Sequence, residues 1–160
     1  MEFDILEKLT AKSHSGFVVE DVEACVKNLQ DTLGIAKDVK PYIFAPNKAW
    51  SCGVPYENVK MKIALCPVKN GVSFEYIQPL TKAGFHFLSL LSNGDELNHV
   101  AFCTDEFDAC REFLVEKGAV FVFEMEANDE LKGYRRNVYA KLEGVPGIIE
   151  ILENAQPYRP

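Results

Sequence analysis

Asn98-His99-Val100-Ala101-Phe102-Cys103-Thr104-Asp105-Glu106-Phe107-Asp108-Ala109-Cys110 opens on a histidine, runs through apolar and β-branched residues, turns on an acidic pair and enters a helical pattern. The same figure stands earlier in the chain, at His14-Ser15-Gly16-Phe17-Val18-Val19-Glu20-Asp21-Val22-Glu23-Ala24-Cys25. Laid over each other, His14 falls on His99, Phe17 on Phe102, Ala24 on Ala109, Cys25 on Cys110 and Leu29 on Leu114. A repeat constrains architecture more than any local propensity does. Two copies are too few for a solenoid, so the expectation is one fold made of two similar halves.

Working outward, each copy predicts strand then helix. His14 to Val19 is short and rich in β-branched and aromatic residues. Alternation places His14, Gly16 and Val18 on one face and Phe17 and Val19 on the other. Asp21 is a candidate helix cap, Val22, Val26, Leu29 and Leu33 form one helical face, and Gly34 stops the helix. Three strands are then expected: near Val39–Phe44, over Val59–Leu65 where Val59, Met61, Ile63 and Leu65 alternate with Lys60 and Lys62 between them, and over Val72–Ile77 after the Asn70-Gly71 hairpin signal. Asn47–Glu57, between the first two of these three strands, predicts a loop. Ala83–Leu91 predicts a connecting helix, with His86 on its surface. The second copy gives a strand over Leu97–Cys103, a helix over Asp105–Lys117 carrying Phe107, Cys110 and Leu114 inward, and strands near Val120–Phe123, Val138–Leu142 and Gly147–Leu152, with a polar loop at Glu126–Gly133. Glu20/Asp21 and Asp105/Glu106 fit helix caps. Apolar Phe3, Ile5, Leu6 and Leu9 among charges predict one added amphipathic helix over residues 2–10. The organisation is one domain over 1–160: module one at 12–80, a linker at 81–96 and module two at 97–153, each module strand-helix-strand-strand-strand.

Composition excludes several classes. The chain has 160 residues, 48% hydrophobic and 26% charged, with a net charge of −7 and no low-complexity run, which is the profile of a globular domain. A dispersed negative charge disfavours nucleic acid, whose phosphates need a clustered basic surface. No apolar run approaches the roughly 20 residues that cross a bilayer, and the N-terminus lacks the pattern of a secretion signal. Five cysteines without paired spacing fit a reducing compartment, so the expected location is cytoplasmic. Cys25 and Cys110 suit small core positions.

The candidate chemistry lies where the repeat places polar groups against apolar patterning. Each half opens on a histidine and closes on a glutamate: His14 and Glu75, then His99 and Glu150. Phe74 and Tyr76 flank the first glutamate, Ile149 and Ile151 the second. If those flanks pack on the helices, alternation turns both glutamates toward the histidines. A carboxylate on the inner side of an apolar strand is costly unless paired or metal-bound. Two imidazoles and two carboxylates suit zinc, nickel, cobalt, iron or manganese. Gly16 and Ala101, two residues after the histidines, are expected to keep space open beside the metal. Arg135 and Arg136 beside a loop fit a plain surface pair better than a phosphate or nucleotide-tail site.

On these four residues and the module order, nearly the whole chain, Ser13 to Leu152, resembles the vicinal oxygen chelate superfamily, the glyoxalase fold. The resemblance implies an α+β protein of two βαβββ modules forming a curved, cavity-enclosing mixed sheet. Glu75-Tyr76-Ile77-Gln78-Pro79-Leu80, the Phe87-Leu88 linker helix and His99-Val100-Ala101-Phe102 are similar to methylmalonyl-CoA epimerases, although Asn98 stands where that branch usually has a second histidine. Glyoxalase I (lactoylglutathione lyase) is similar in using Glu at the second ligand position, but Glu143-Gly144-Val145-Pro146-Gly147 replaces its Asp-Pro-Asp-Gly signature. The resemblance implies a divalent metal (Zn, Ni, Co or Mn) held by His14, Glu75, His99 and Glu150, and proton transfer next to a carbonyl through a metal-stabilised enolate. The substrate would be an acyl-CoA thioester or a glutathione hemithioacetal, and the protein a homodimer. Glu150 and Glu57 are the candidate bases, the first as a ligand glutamate freed for the task, the second by its spacing ahead of Glu75. Alternatives from the same fold are an Fe(II) dioxygenase using His14, His99 and Glu150, and a metal-free small-molecule binding or resistance protein. A purely structural domain docking through its N-terminal helix is a third.

Overall fold

In the computed structural model, which describes residues 3–160, a one-turn helix α1 (Ile5–Lys8) leads into strand β1 (Leu9–Val18) and helix α2 (Val22–Leu33). Strands β2 (Tyr42–Phe44), β3 (Lys48–Ser51), β4 (Val54–Pro55), β5 (Met61–Lys69) and β6 (Val72–Pro79) follow. Helix α3 (Gly84–Asn93) connects to β7 (Glu96–Thr104), α4 (Phe107–Glu116), β8 (Val120–Asp129), β9 (Gly133–Lys141) and β10 (Ile149–Glu153). All ten strands form one mixed sheet in the order β2-β5-β6-β1-β7-β10-β9-β8-β3-β4. Read from its middle, β1-β6-β5-β2 in one direction matches β7-β10-β9-β8 in the other, so the sequence repeat is a structural repeat.

The register shows how the halves meet. β1 and β7 are antiparallel, with His14 opposite Ala101, Ser15 opposite Val100 and Gly16 opposite His99. That pairing is symmetric about Ser15 and Val100, so a pseudo-two-fold axis passes between these residues. Each first strand pairs in parallel with the last strand of its own half, with Gly16 opposite Glu75 and Ala101 opposite Glu150. Both histidines and both glutamates therefore lie within two residues of the axis or on the strands immediately beside it.

Apolar alternation decides which face is which. Phe17, Val19, Phe74 and Tyr76 pack with Val22 and Val26 of α2. Ile149, Ile151, Val138 and Ala140 pack with Phe107, Cys110 and Leu114 of α4. With the outer face fixed by these layers, Met61, Ile63, Ile77, Phe123, Met125 and Tyr139 turn inward and form a separate core on the concave side. β2 and β3 sit toward opposite ends of the sheet, yet only Ala45, Pro46 and Asn47 join them. That link spans roughly 14 Å at most, so the ends are drawn together and the sheet curls around the inner core.

Several sequence expectations change. The N-terminal helix is four residues long, and Leu9 already pairs with Thr104 in the sheet, where the expected helix continued to residue 10; residue 2 lies outside the described residues. Sheet pairing outweighs the helical pattern there. Helix α1 instead packs on α4, with the Phe3 and Phe113 rings 5.1 Å apart. Asn47–Glu57 is not all loop: β3 pairs with β8, with Trp50 opposite Glu124, and turns back as β4. The loop expected at Glu126–Gly133 shrinks to a hairpin tip, because β8 extends to Asp129 and β9 starts at Gly133. Asp21 caps α2 by accepting from the Ala24 amide at 3.0 Å, as expected. Asp105 and Glu106 do not cap α4: Asp105 accepts from the Asn154 amide group and Glu106 pairs with Lys8 at 2.9 Å. All five cysteines are unpaired thiols, with Cys110 buried and Cys25 half-buried. No described helix is long and apolar enough to cross a membrane.

Candidate metal centre

Four strands deliver the four expected donors to one point. His14 comes from β1, His99 from β7, Glu75 from β6 and Glu150 from β10, and one donor atom of each lies within 4.8 Å of all the others. His14 Nε2 is 3.3 Å from His99 Nε2, 3.2 Å from Glu75 Oε2 and 3.0 Å from Glu150 Oε2. His99 Nε2 is 3.2 Å from Glu150 Oε2 and 3.5 Å from Glu75 Oε2. An ion about 2.0–2.1 Å from each nitrogen and oxygen separates its ligands by about 3.3 Å in a tetrahedron and about 2.9 Å for octahedral neighbours. The observed edges match that spacing.

Direction separates this cluster from an ordinary ion-pair network. Glu150 Oε2 is buried close to both imidazole nitrogens, yet it accepts no hydrogen bond. Instead, one donor atom from each of His14, Glu75, His99 and Glu150 gathers within 4.8 Å of the other three. A buried carboxylate oxygen left without a donor costs on the order of 1–3 kcal/mol or more, and a cation at the common point removes that cost. The donor set therefore fits a divalent transition metal. Burial disfavours a charged imidazole at His14, but the Glu75 and Glu150 carboxylates outweigh it and push its pKa up to about 11. His99 shifts upward in the same way, with burial again opposed by the two carboxylates. Burial would raise Glu150, but the two imidazoles hold it down to about 2, and Glu75 is likewise depressed.

Neighbouring residues orient the donors. Asn98 Oδ1 lies 3.1 Å from His99 Nδ1, and Asn98 Nδ2 donates to Ser89 Oγ at 3.0 Å, which in turn donates to Glu96 at 2.7 Å. That chain leaves the Asn98 oxygen facing the ring, so Nδ1 carries the proton and Nε2 is left as the donor lone pair. Asn137 Nδ2 donates to Glu150 Oε1. Glu75 receives no such bond and keeps 16% of its side chain accessible, against 2% for Glu150. Gly16 has a different role from the one expected. A Cβ at this position would sit 2.0 Å from His99 Cε1 and Nε2, so the glycine makes room for the His99 ring itself rather than for a ligand.

His14, Glu75 and Glu150 of the cluster form the floor of a cavity of about 190 Å³. Its walls are Met61, Ile63, Ile77, Phe123 and Met125, and its rim carries Tyr42, Phe44, Lys132 and Arg135. Lys132 lies over the Tyr42 ring at 3.8 Å and Arg135 over Phe44 at 5.5 Å. The two arginines are not a surface pair, because strand alternation separates them. Arg135 turns to the cavity rim and bonds Asp129 at 2.9 Å, whereas Arg136 turns outward between Glu153 and Asp108, both at 2.8 Å. Glu57 is not brought to the cluster. It is exposed between β4 and β5 and lines a separate hollow with Ala45, Lys48 and Tyr56.

His86 is the largest departure from expectation. Instead of lying on the linker surface it is 3% exposed, lines the cavity and sits 3.3 Å from Tyr139 Oη. Burial first, then the nearby His99, lowers its pKa to about 3, so its ring is neutral. Tyr139, 2% exposed, sits 3.4 Å from His99 Nε2, and burial with the two carboxylates holds its phenol well above its ordinary range. Asn137 and Tyr139 were legible only in part: Asn137-Val138-Tyr139-Ala140 alternates, but nothing local says which face is concave.

Residues 13–135 match the profile of the Glyoxalase/Bleomycin resistance protein/Dioxygenase superfamily; Glu150 lies beyond the matched stretch. No protein of curated function matches the sequence. Among solved structures, methylmalonyl-CoA epimerase from Mycobacterium tuberculosis superposes with a TM-score of 0.61 at 17% identity, over 92% of this chain and 90% of that one. A Streptomyces coelicolor methylmalonyl-CoA epimerase variant in complex with 2-nitronate-propionyl-CoA gives 0.60 at 19% identity, over 92% and 99%. A mutant 4-hydroxymandelate synthase from Streptomyces coelicolor gives 0.58 at 15% identity, over 96% of this chain and 50% of that one. At such identities the likeness is one of fold. With its paired modules, its curled mixed sheet and a profile match across most of its length, this chain belongs to the Glyoxalase/Bleomycin resistance protein/Dioxygenase superfamily.

Proposed function

We propose that the protein is a metal-dependent enzyme that moves a proton at the carbon next to a carbonyl, as an epimerase, isomerase or lyase does. The observation that carries this reading is the Glu150 oxygen, buried against two imidazole nitrogens and bonded to neither. His14, Glu75, His99 and Glu150 would hold a divalent ion, which would supply a Lewis acid for the substrate carbonyl and so acidify the neighbouring C–H. The remaining work falls to the chain's own groups. The apolar walls exclude water, and the base must reach the carbon directly. Glu150 and Glu57 are the bases expected from sequence; Glu75, the more accessible of the cluster's carboxylates and the one without a hydrogen bond, is better placed than either.

The cavity of about 190 Å³ admits only the small reacting end of a ligand. A long tail must lie outside, beside Lys132 and Arg135, which suits an anionic carrier. An acyl-CoA thioester fits that division, and the epimerase neighbours are recorded in complex with acyl-CoA compounds; a glutathione hemithioacetal is the second candidate. By resemblance the protein is a homodimer in the cytoplasm, although the four donors come together within one chain.

The test combines element-resolved metal analysis of protein purified without chelator with deuterium wash-in on methylmalonyl-CoA and on the methylglyoxal–glutathione adduct. The expected result is about one divalent ion per chain and exchange of the proton next to the carbonyl in one of the two compounds. A chain that takes up no metal and exchanges neither overturns the proposal in favour of a small-molecule binding protein. Oxygen consumption after anaerobic iron loading overturns it in favour of a dioxygenase.

A further inference from the structure

Tyr139 and His86 are buried polar residues that the metal set does not use. Tyr139 Oη stands between two imidazole nitrogens, His86 Nε2 at 3.3 Å and His99 Nε2 at 3.4 Å. His86 Nδ1 is buried and has no hydrogen-bond partner. A neutral imidazole carries one proton on one of its two nitrogens. On Nδ1 that proton would be an orphaned buried donor, whereas on Nε2 it is donated to the Tyr139 oxygen. Tyr139 therefore accepts from His86, and its own proton must go elsewhere. The neighbour on its other side is His99 Nε2, but the Asn98 contact reserves that lone pair for a metal. The phenol proton is then free to face the cavity floor, where a ligand's oxygen would lie.

We propose that Tyr139 is a catalytic residue that donates a hydrogen bond to the substrate oxygen above the cluster, and that His86 is a positioning residue that fixes the direction of that donation. This rests on the proposed metal-dependent reading. Its role would be to stabilise the negative charge that builds on that oxygen as the neighbouring carbon loses its proton. The mixed environment around the pair supports it: Phe85 and Phe123 pack edge-on against His86, with centroids at 5.2 and 4.6 Å, and exclude competing donors.

The experiment uses the full chain loaded with cobalt(II) and reads two quantities from its visible spectrum: the affinity for cobalt and the affinity for acetohydroxamate, a small anionic oxygen chelator. For Tyr139→Phe the expected result is cobalt affinity within about threefold of wild type and acetohydroxamate binding weakened about 10–100-fold, the usual loss for a hydrogen bond to a charged group. His86→Leu should weaken acetohydroxamate too, and the double variant should bind it no worse than Tyr139→Phe alone, because His86 acts only through Tyr139. Unchanged acetohydroxamate affinity in Tyr139→Phe, or additive losses in the double variant, overturns the proposal while leaving the metal reading intact. Failure of the wild-type chain to take up cobalt overturns both. Should Tyr139→Phe fail to fold, the tyrosine Cζ resonances of the zinc-loaded wild type read the same bond. Acetohydroxamate is expected to shift one buried tyrosine, and no shift overturns the proposal.

Discussion

At the scale of single residues the site is exacting because its donors meet on adjacent strands. Gly16 is the sharpest case: its φ is ordinary extended backbone, so alanine would be tolerated by the chain, yet the added Cβ would sit 2.0 Å from the His99 ring. Gly16→Ala is expected to keep the wild-type circular dichroism spectrum and to lose at least about tenfold in metal affinity, as displaced ligands commonly do; unchanged metal titration would show that the ring can move freely. The two glutamates should separate in the same assay. Glu150 is held by Asn137, so Glu150→Gln is expected to lower metal occupancy first. Glu75 is unheld and partly accessible, so Glu75→Gln should retain metal while deuterium wash-in slows by about 10²–10⁴-fold, the range for a lost general base. Equal effects of the two substitutions on occupancy would contradict that division. The convergence of His14, Glu75, His99 and Glu150 was legible in the sequence, because each is a polar residue at an inward position of an apolar strand and each has a repeat partner. His86 lies on the linker helix outside the repeat, and Tyr139 corresponds to apolar Leu65 in the first half, so neither shows as a repeated polar position.

Elements explain where legibility ends. Helix α3 carries polar His86 and Ser89 one turn apart, a pattern that normally marks the solvent side, while Leu88 and Leu91 are 56% and 66% exposed. Here the pattern is inverted because the polar side closes the cavity: Ser89 supports Asn98, and His86 meets Tyr139. β3 was hidden for a different reason. Four residues between Pro46 and Gly53 carry no strand signal of their own, and they pair with β8 about 75 residues further on, a contact local patterning cannot supply. Long-range side-chain contacts also join α4 to the sheet. Arg136 bonds Glu153 on β10 and Asp108 in the first turn of α4, and its guanidinium lies 4.4 Å from the Phe107 ring. Because Glu153 is only 7% exposed, Arg136→Met strands a buried carboxylate. Urea unfolding is expected to show a loss of about 2 kcal/mol, less than the roughly 3–5 kcal/mol of a fully buried broken pair because Arg136 is partly accessible, with metal affinity unaffected. Adding Glu153→Leu should recover most of that loss, and no recovery would mean that the ring stacking, not the ion pair, was the source.

For the whole molecule, a sheet organised about one pseudo-two-fold axis gathers two imidazoles and two carboxylates at its centre, so stability and metal binding must answer to pH in opposite ways. Without metal, the raised pKa of His14, about 11 against 6.5 unfolded, means that its charged form stabilises the fold. That contribution is complete below pH 6.5 and is lost as pH rises toward 11. Glu150, lowered to about 2 from 4.5, contributes fully above pH 4.5 and loses its contribution as pH falls toward 2. The metal-free protein should thus be most stable between pH 4.5 and 6.5 and should melt at progressively lower temperature above that window. A metal needs neutral imidazoles, so its binding expels the protons that stabilised the empty site. Affinity should then rise with pH, by up to about tenfold per unit for each proton displaced, and the gain in melting temperature on adding metal should widen as the metal-free protein weakens. Calorimetric titration of zinc at pH 7 in two buffers of different ionisation enthalpy counts the protons directly. Release of more than about one proton per ion is expected, since both imidazoles are shifted upward. Zinc binding with no proton release would place the ion away from His14 and His99, and a melting temperature that rises with pH in the metal-free chain would show that the carboxylates do not hold those rings charged.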